Sequence, residues 1–308
     1  MIQTLDTNFE IAAQFEHEKD TILAMPILET NDPEIRALTG IHVYHYFLSN
    51  CAQRVCIAVE DKGQEWTPHA ISLFRGQNIK DDYLRINPKG LIPALVHDGV
   101  VITESIDILR YLEERFPEPA LYPRDPEARR EVDGWMNIAT DNHVGVIKTY
   151  MYATVFGSSK KPEDMQHYRE IQEDSELVAF HQEALDGFTQ DKTLAAEREV
   201  FGFFDRMEKA LGQHRWLVGD DFSHADISWF VQYYLMTSLG AVNFERYPNI
   251  RRWGNAIMQR PSYQRGIKAI QPWYAPAMRG ALRLKSTLRR KGLAPKAPRH
   301  RDGAALPA

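Results

Sequence analysis

Residues 87–95 read Asn87-Pro88-Lys89-Gly90-Leu91-Ile92-Pro93-Ala94-Leu95, an apolar strand pattern that a proline interrupts. Proline has no backbone N–H to donate to a sheet, so Pro93 predicts an edge position or a cis peptide bond. A hairpin sequence, His97-Asp98-Gly99, separates this strand from the next one. In this arrangement the backbone N–H and C=O of Ile92 remain available to an extended peptide.

A polar pair follows the second strand, where the pattern predicts the start of a helix. The pair is Glu104 and Ser105. The free N–H groups and the dipole of a helix N-terminus favour an anion at this position. A strand that binds a peptide backbone, next to a site that binds a carboxylate, fits a peptide with a free carboxylate such as glutathione.

The segment from Ile41 to Pro123 resembles the N-terminal, thioredoxin-like domain of cytosolic glutathione transferases, and the resemblance continues to about Pro261. It implies the glutathione transferase fold, in which an α/β N-terminal thioredoxin-like domain precedes an all-α C-terminal helical domain. The motifs that carry it are Ser49-Asn50-Cys51, Asn87-Pro88-x-Gly90-x-x-Pro93-Ala94-Leu95, Glu104-Ser105-x-x-Ile108-x-x-Tyr111-Leu112, Trp216-Leu217-Val218-Gly219-Asp220 and Ser223-x-Ala225-Asp226.

Four regions are predicted along the chain. Residues 1–40 form a polar N-terminal extension with a helix over 8–19, which is either a disordered arm or a subunit contact. Residues 41–123 form the thioredoxin-like glutathione-binding domain, and residues 124–272 form the all-helical domain for the acceptor substrate. Residues 273–308 form a basic C-terminal tail, interpreted as a solvated arm, with contact to an acidic partner surface as the alternative.

The spacing of apolar residues predicts the main helices and strands. We expect strands at Ile41–Tyr46 and Glu65–Leu73, and helices at Ala52–Lys62, Glu104–Phe116, Glu127–Asn142, Glu199–Leu211 and Ala225–Leu239. Ser223 and Asp226 predict a capping box at the start of the last helix. This role is structural, and loss of the Ser223 side chain is expected to cost about 1 kcal/mol.

Composition excludes several classes of function. The 308 residues carry a net charge of −5 and a hydrophobic fraction of 44%, which is typical of a soluble globular protein and not of a nucleic-acid binder. The sequence has no run of about twenty apolar residues, which a membrane span needs. Residues 1–6 lack the features of a signal peptide. We therefore expect a cytoplasmic enzyme without a nucleic-acid partner, a membrane partner or a metal.

The two cysteines, Cys51 and Cys56, are not expected to form a disulfide. Five residues apart on a helix, they point about 140° away from each other. Nor do they form the C-x-x-C motif of a dithiol oxidoreductase. Cys56 is predicted to be a small buried hydrophobic residue. Cys51 remains a candidate for a chemical role, because it lies at a helix N-terminus, where the pKa of a thiol falls.

Activation of the glutathione thiol requires a donor that points at the sulfur. Ser49 lies at the predicted helix start, and a hydrogen bond from its hydroxyl to a thiolate is worth roughly 1.5–3 kcal/mol, or one to two pKa units. Asn50 offers an amide to the same sulfur and could share or replace this role. The alternative for Ser49 is an ordinary N-cap. The hydroxyls of Tyr44 and Tyr46 are expected to pack within the domain.

The resemblance implies a set of glutathione-binding residues. These are Gln77, Asn78, Ile92, Pro93, Glu104 and Ser105. The backbone of Ile92 is expected to bind the cysteine of glutathione. Glu104 and Ser105 are expected to bind the γ-glutamyl end, and Gln77 or Asn78 the glycyl end.

The sequence leaves the subclass of transferase open, because different stretches resemble three different groups. Arg75-Gly76-Gln77-Asn78 resembles the theta class. Ser49-x-Cys51-x-x-Arg54-Val55 resembles the zeta class, whose members isomerise maleyl-type diacids, but Asn50 and Cys56 depart from that class pattern. A third resemblance, to the bacterial β-aryl etherases of lignin breakdown, covers more of the chain than the other two. The stretches concerned are Asp82-Tyr83-Leu84-Arg85-Ile86-Asn87-Pro88-Lys89-Gly90, Val96-His97-Asp98-Gly99 and Gly187-Phe188.

We therefore predict a glutathione-dependent transferase whose thiolate attacks an aromatic small molecule and cleaves a lignin-type β-aryl ether. The alternatives are a theta-like conjugating or dehalogenating transferase, a thiol lyase that uses Cys51, and a glutathione-binding structural subunit of a heterodimer. The resemblance also implies a homodimer or a heterodimer with a related transferase. The aromatic pocket is expected at Tyr150, Met151, Tyr152 and Phe156, or at Trp229 and Tyr233, with core packing as the alternative.

Overall fold

The computed structural model describes residues 27, 28 and 30–290. The helix predicted over residues 8–19 and the tail beyond residue 290 lie outside this part of the chain. Residues 27–36 belong to the predicted N-terminal extension, and they contribute a short strand and one helical turn to the first domain.

Five strands form one mixed sheet in the first domain. They are β1 (Ile27–Leu28), β2 (Ile41–His45), β3 (Trp66–Ala70), β4 (Ala94–His97) and β5 (Val100–Thr103). Their order across the sheet is β1-β5-β4-β2-β3. The pair β2 and β3 is parallel, and the other neighbouring pairs are antiparallel. This is the α/β domain that the sequence predicts.

Strand β3 is shorter than the predicted strand Glu65–Leu73. It lies at the edge of the sheet and pairs only with β2. An edge strand tolerates Pro68, since the missing N–H has no ladder partner to lose. Leu73 already belongs to a 3-10 turn, so the chain leaves the sheet earlier than its apolar pattern indicates.

The hairpin between β4 and β5 turns at Asp98 and Gly99, as predicted. Both residues have positive φ angles, of 50° and 79°, which is the conformation that a two-residue hairpin of type I′ requires. A Cβ atom on Gly99 would lie 2.6 Å from the carbonyl oxygen of Arg36, so glycine is also required sterically. The peptide bond between Ile92 and Pro93 is cis, in agreement with the sequence prediction.

Helices complete the first domain and form all of the second one. Those of the first domain are α1 (Pro33–Arg36), α2 (Asn50–Asp61), α3 (Asp81–Leu84) and α4 (Ser105–Arg115). Those of the second domain are α5 (Pro126–Asp141), α6 (Thr149–Met151), α7 (Asp164–Ile171), α8 (Ser175–Asp186), α9 (Gln190–Gln213), α10 (His224–Ser238), α11 (Pro248–Met258), α12 (Pro261–Tyr263) and α13 (Ala275–Arg290). Two π-helical turns, His143–Lys148 and Tyr152–Phe156, flank α6.

Helix α10 is the central helix of the second domain and packs on both α2 and α5. The predicted capping box is present at its N-terminus. The carboxylate of Asp226 accepts hydrogen bonds from the N–H groups of Ser223 and Leu217, each at 3.0 Å, and from the indole of Trp253 at 2.7 Å. Asp226 therefore ties the helix start to a preceding turn and to α11. None of the helices in the described residues is long and apolar enough to cross a membrane.

The C-terminal helix α13 corrects the interpretation of residues 275–290 as part of a solvated arm. It packs on the turn Tyr152–Phe156. The Lys285 ammonium donates to the carbonyl oxygen of Phe156 at 2.8 Å, and the Arg289 guanidinium donates to that of Ala153 at 3.3 Å. Basic side chains thus bind the free carbonyls at the end of a helical turn, where the helix dipole favours cations.

Candidate functional site

A cavity of about 130 Å³ lies where the two domains meet. The first domain contributes Ser49 and Asn50 from the start of α2, and Leu91 and Ile92 from the turn before β4. From the second domain, helices α6, α7, α8 and α10 and the loop before α7 contribute, as do the two π-helical turns that flank α6. Such turns are rare and are frequent at functional sites, because they widen a helix and redirect its side chains.

Ser49 is the N-cap residue of α2. Its hydroxyl oxygen accepts a hydrogen bond from the N–H of Ala52 at 3.2 Å, and its side chain lines the cavity. The cap uses a lone pair of the oxygen and leaves the hydroxyl proton free to donate. The two predicted roles of Ser49 are therefore compatible: the same hydroxyl can cap the helix and donate a hydrogen bond to a group in the cavity.

Asn50 is buried beside Ser49, and its amide is already in use. The side-chain oxygen accepts from the N–H of Cys51 at 3.0 Å, and the side-chain nitrogen donates to the side-chain oxygen of Gln232 on α10. One amide hydrogen remains for a ligand. Sequence reasoning missed Gln232, although a glutamine within an apolar helix is a signal for a buried polar contact.

Backbone groups of Ile92 are available at the cavity wall. No described residue hydrogen-bonds its N–H or C=O. The preceding turn is held firmly, because the carbonyl of Leu91 accepts from the Tyr83 hydroxyl at 2.6 Å and from the Asn87 amide at 2.8 Å. Asn78 also lines the cavity, and its amide donates to the carbonyl of Gly90 at 2.7 Å.

The other predicted glutathione-binding residues lie outside the lining of this cavity. The side-chain oxygen of Gln77 accepts from the N–H of Ser72 at 2.7 Å. Pro93 leads directly into β4. Glu104 is exposed at the start of α4, with a φ of 62°, and pairs with Lys89 at 3.3 Å. The structure therefore brings Ser49, Asn50, Asn78 and Ile92 together, and leaves Glu104 and Ser105 at a separate helix N-terminus.

Arg54 connects that helix N-terminus to α2. Its guanidinium is buried and donates to the hydroxyls of Ser105, at 3.2 Å, and Thr140, at 3.1 Å. Burial lowers the pKa of Arg54, but an arginine remains protonated in proteins. Within residues 30–290, no carboxylate forms an ion pair with it. The start of α4 therefore carries an uncompensated positive charge, which favours an anion.

Aromatic and apolar side chains of the second domain form one wall of the cavity. Met151, Tyr152 and Phe156 line it, as the sequence predicts. Tyr150 does not, because its hydroxyl donates to the carbonyl of Ala241 at 2.8 Å within the core. The alternative residues on α10 are also core residues, and the Trp229 indole donates to the carbonyl of Trp135 at 2.9 Å.

Four basic side chains on the same wall were not predicted. They are His143, Lys148, Lys160 and His181. Burial lowers the pKa of both lysines, that of Lys160 to about 8, and lowers the pKa of both histidines well below the usual range. The histidines are therefore neutral at pH 7. The segment that carries Lys160 resembles a polar loop in sequence, and only the fold shows that it borders a cavity.

Both cysteines are free, and they differ in environment. Cys56 is buried, as predicted, and burial raises the pKa of its thiol. The sulfur of Cys51 is half-buried and lies 3.5 Å from Nε2 of His143. Cys51 is not part of the cavity lining, whereas His143 is.

Family models match both domains that meet at the cavity. A model described as glutathione S-transferase, N-terminal domain, matches residues 43–120. A second one, described as glutathione S-transferase, C-terminal domain, matches residues 153–261.

The chain is also similar to individual proteins. Protein LigF from Sphingobium sp. (strain NBRC 103272 / SYK-6) is 30% identical over 213 residues, which cover 66% of this chain and 83% of that protein. Maleylacetoacetate isomerase from Dictyostelium discoideum is 29% identical over 234 residues, which cover 75% and 94%. The crystal structure of beta-etherase LigF from Sphingobium sp. strain SYK-6 has a TM-score of 0.67 at 26% identity, and covers 75% of this chain and 100% of that one.

Proposed function

The chain belongs to the glutathione S-transferase family, and from this premise we propose that it cleaves aromatic β-aryl ethers with glutathione as co-substrate. One observation carries the proposal. A hydroxyl donor, Ser49, and the unpaired backbone of Ile92 share a cavity with the aromatic wall of Tyr152 and Phe156. A thiolate and an aromatic ring can thus bind side by side.

The chemistry that we propose needs only positioning and an ionised thiol. The Ser49 hydroxyl donates a hydrogen bond to the glutathione sulfur, which stabilises the thiolate. The thiolate attacks the carbon that bears the aryloxy group, so that a C–S bond forms while the C–O bond breaks. The electron pair of that bond leaves with the phenoxide, which takes a proton from water. Holding both reactants in one cavity supplies the orientation that such a displacement requires.

Glutathione and phenacyl phenyl ether, incubated with the purified chain, test this proposal. We expect phenol and the phenacyl thioether of glutathione, in equal amounts, by mass spectrometry. An incubation without enzyme corrects for the spontaneous reaction. If the chain binds glutathione and releases no phenol from this or a ring-methoxylated ether, β-ether cleavage is wrong for this protein.

A second candidate is a glutathione-dependent isomerase of maleyl-type diacids. It is favoured by the similarity to maleylacetoacetate isomerases and by Ser49-x-Cys51-x-x-Arg54. The departures at Asn50 and Cys56 place it second. Isomerisation of maleylacetone, followed by the change in its absorbance, separates this candidate from the etherase, because isomerisation leaves no thioether product.

Cys51 is not required in the mechanism that we propose. Replacing it with serine is expected to leave kcat/KM within about twofold of the wild type, which corresponds to a change of about 0.4 kcal/mol in activation free energy. The reason is that the Cys51 sulfur faces His143 and does not line the cavity. Steady-state kinetics measure the effect, and a drop of several orders of magnitude would identify Cys51 as the nucleophile of a thiol lyase.

We also propose that the protein is a dimer, as the family resemblance implies. Light scattering on the purified chain measures its mass directly. If it is a monomer alone and gains activity only with a related transferase, the structural-subunit alternative is favoured.

A further inference from the structure

Two lysines meet in the part of the cavity that the second domain forms. The ammonium of Lys148 lies 5.6 Å from the centre of the Phe180 ring, and that of Lys160 lies 4.4 Å from the centre of the Tyr168 ring. Both side chains line the cavity. A ring attracts a cation through its quadrupole, but it carries no formal charge and does not neutralise the ammonium.

Neither lysine has an acidic partner. Among residues 30–290, no carboxylate oxygen lies within 4.0 Å of either ammonium. The neighbouring Lys161, by contrast, is exposed and pairs with Glu163 at 3.9 Å. Cys51 and Asp174 act on Lys148 electrostatically without pairing with it, and the Asp174 carboxylate caps α8. Asp164 acts on Lys160 in the same way.

The two ammonium groups also repel each other. Burial is the main cause of their lowered pKa values, and the charge of Lys148 lowers that of Lys160 further. Lys160 remains mainly protonated at pH 7, since its pKa is about 8. The cavity thus holds two partly desolvated lysines that no carboxylate in residues 30–290 pairs with, an arrangement that favours a bound anion.

We propose that Lys148 and Lys160 form a carboxylate subsite, and that the acceptor substrate is an aromatic compound with a carboxylate on its ring. This inference rests on the proposed function and names the substrate class of that same site. The lysines lie on the second domain, beside the aromatic residues Tyr152 and Phe156, whereas the backbone of Ile92 lies on the first. On this basis we assign the carboxylate to the acceptor, which the aromatic wall binds, and the glycyl end of glutathione to Asn78 on the first domain.

Binding of two glutathione conjugates tests the subsite without requiring ether cleavage. The probes are S-benzylglutathione and S-(para-carboxybenzyl)glutathione, each titrated into the full-length protein by calorimetry at pH 7. We expect the carboxylated conjugate to bind about tenfold more tightly, because a charge-assisted hydrogen bond is worth about that factor. Glutathione itself serves as the reference ligand.

Variants assign the preference to the two lysines. Lys148→Gln and Lys160→Gln are each expected to reduce the tenfold preference, and the double variant to abolish it, while affinity for glutathione stays unchanged. Lys160→Arg retains the charge and is expected to retain the preference. Lys161→Gln is the matched control, because it removes an exposed lysine next to the cavity.

Three results would overturn the inference. The first is equal affinity of the wild type for both conjugates, and the second is a preference that survives in the double variant. The third is a weakened affinity for glutathione in the double variant with the preference unchanged, which assigns the lysines to the glycyl carboxylate. Failure of the proposed function gives a different result: no phenol is released from phenacyl phenyl ether, regardless of how tightly the two conjugates bind.

Discussion

Replacing Ser49 with alanine is expected to lower kcat/KM for the glutathione reaction by about 10- to 100-fold, because a hydrogen bond to a charged group is worth roughly 1.5–3 kcal/mol. The Ser49 hydroxyl is placed for this role by the helix that it caps. The loss should appear mainly in kcat, since the donor acts on the reacting thiolate and contributes little to binding the rest of the peptide. Steady-state kinetics with phenacyl phenyl ether measure it.

Two control variants distinguish an effect on catalysis from an effect of the lost helix cap on stability. Ser49→Thr keeps both the cap and the hydroxyl and should restore most of the activity. Asp125→Ala removes a comparable N-cap, that of α5, at about 1 kcal/mol of stability, and should leave kcat/KM unchanged. If Ser49→Ala retains full activity, the thiol is activated by another group, and the free amide hydrogen of Asn50 is the next candidate.

Replacing Asp226 with alanine is expected to lower the free energy of unfolding by about 3–5 kcal/mol, as for other buried charged groups whose partners are left unpaired. The Asp226 carboxylate accepts from two backbone N–H groups and from the Trp253 indole, all inside the core. Its removal leaves these donors unsatisfied. Urea unfolding, followed by tryptophan fluorescence, measures the change.

Further variants test which contacts of Asp226 provide this stability. Trp253→Phe removes one of the donors while it keeps an aromatic ring, and should cost less than Asp226→Ala. Asp221→Ala is a control in the loop just before α10. Its side chain is exposed, so the change should have an effect within about 0.5 kcal/mol. If Asp226→Ala is as stable as this control, the hydrogen bonds of the capping box do not contribute substantially to the free energy of unfolding.

Local patterns in the sequence predicted the features that depend on neighbouring residues. The cis bond at Pro93, the turn at Asp98 and Gly99, and the cap of α10 each follow from backbone geometry that only certain residues adopt. The boundaries of four of the five predicted helices agree within about two residues for the same reason. The helix predicted at Glu199–Leu211 begins nine residues earlier, at Gln190. Strand β3 is the exception, because its end is set by pairing with β2 and not by its own side chains.

Contacts between distant segments were not predictable in the same way. Asn50 and Gln232 are 182 positions apart, and no local pattern relates them. Lys148 and Lys160 lie in π-helical and loop segments whose charges are typical of a solvated surface. Only the packing of the second domain against the first places them in a cavity.

The sequence contains an apolar spacing that predicts the C-terminal helix α13, but its basic residues led to a different interpretation. Ala275, Met278 and Leu282 follow a helical spacing and pack against the core of the second domain. The basic residues from Arg279 onward suggested a solvated arm instead. The structure shows that some of these basic side chains bind carbonyl groups of the turn that lines the cavity.

The central claim is that the Ser49 cavity ionises the glutathione thiol, and the pKa of that thiol in the complex tests it most directly. Ultraviolet difference absorbance of the thiolate, recorded across pH with saturating enzyme, measures it. We expect a pKa one to two units below the ordinary value of about 8.5 for a thiol, and a return toward that value in Ser49→Ala. A bound thiol with an unshifted pKa in the wild type would contradict the account.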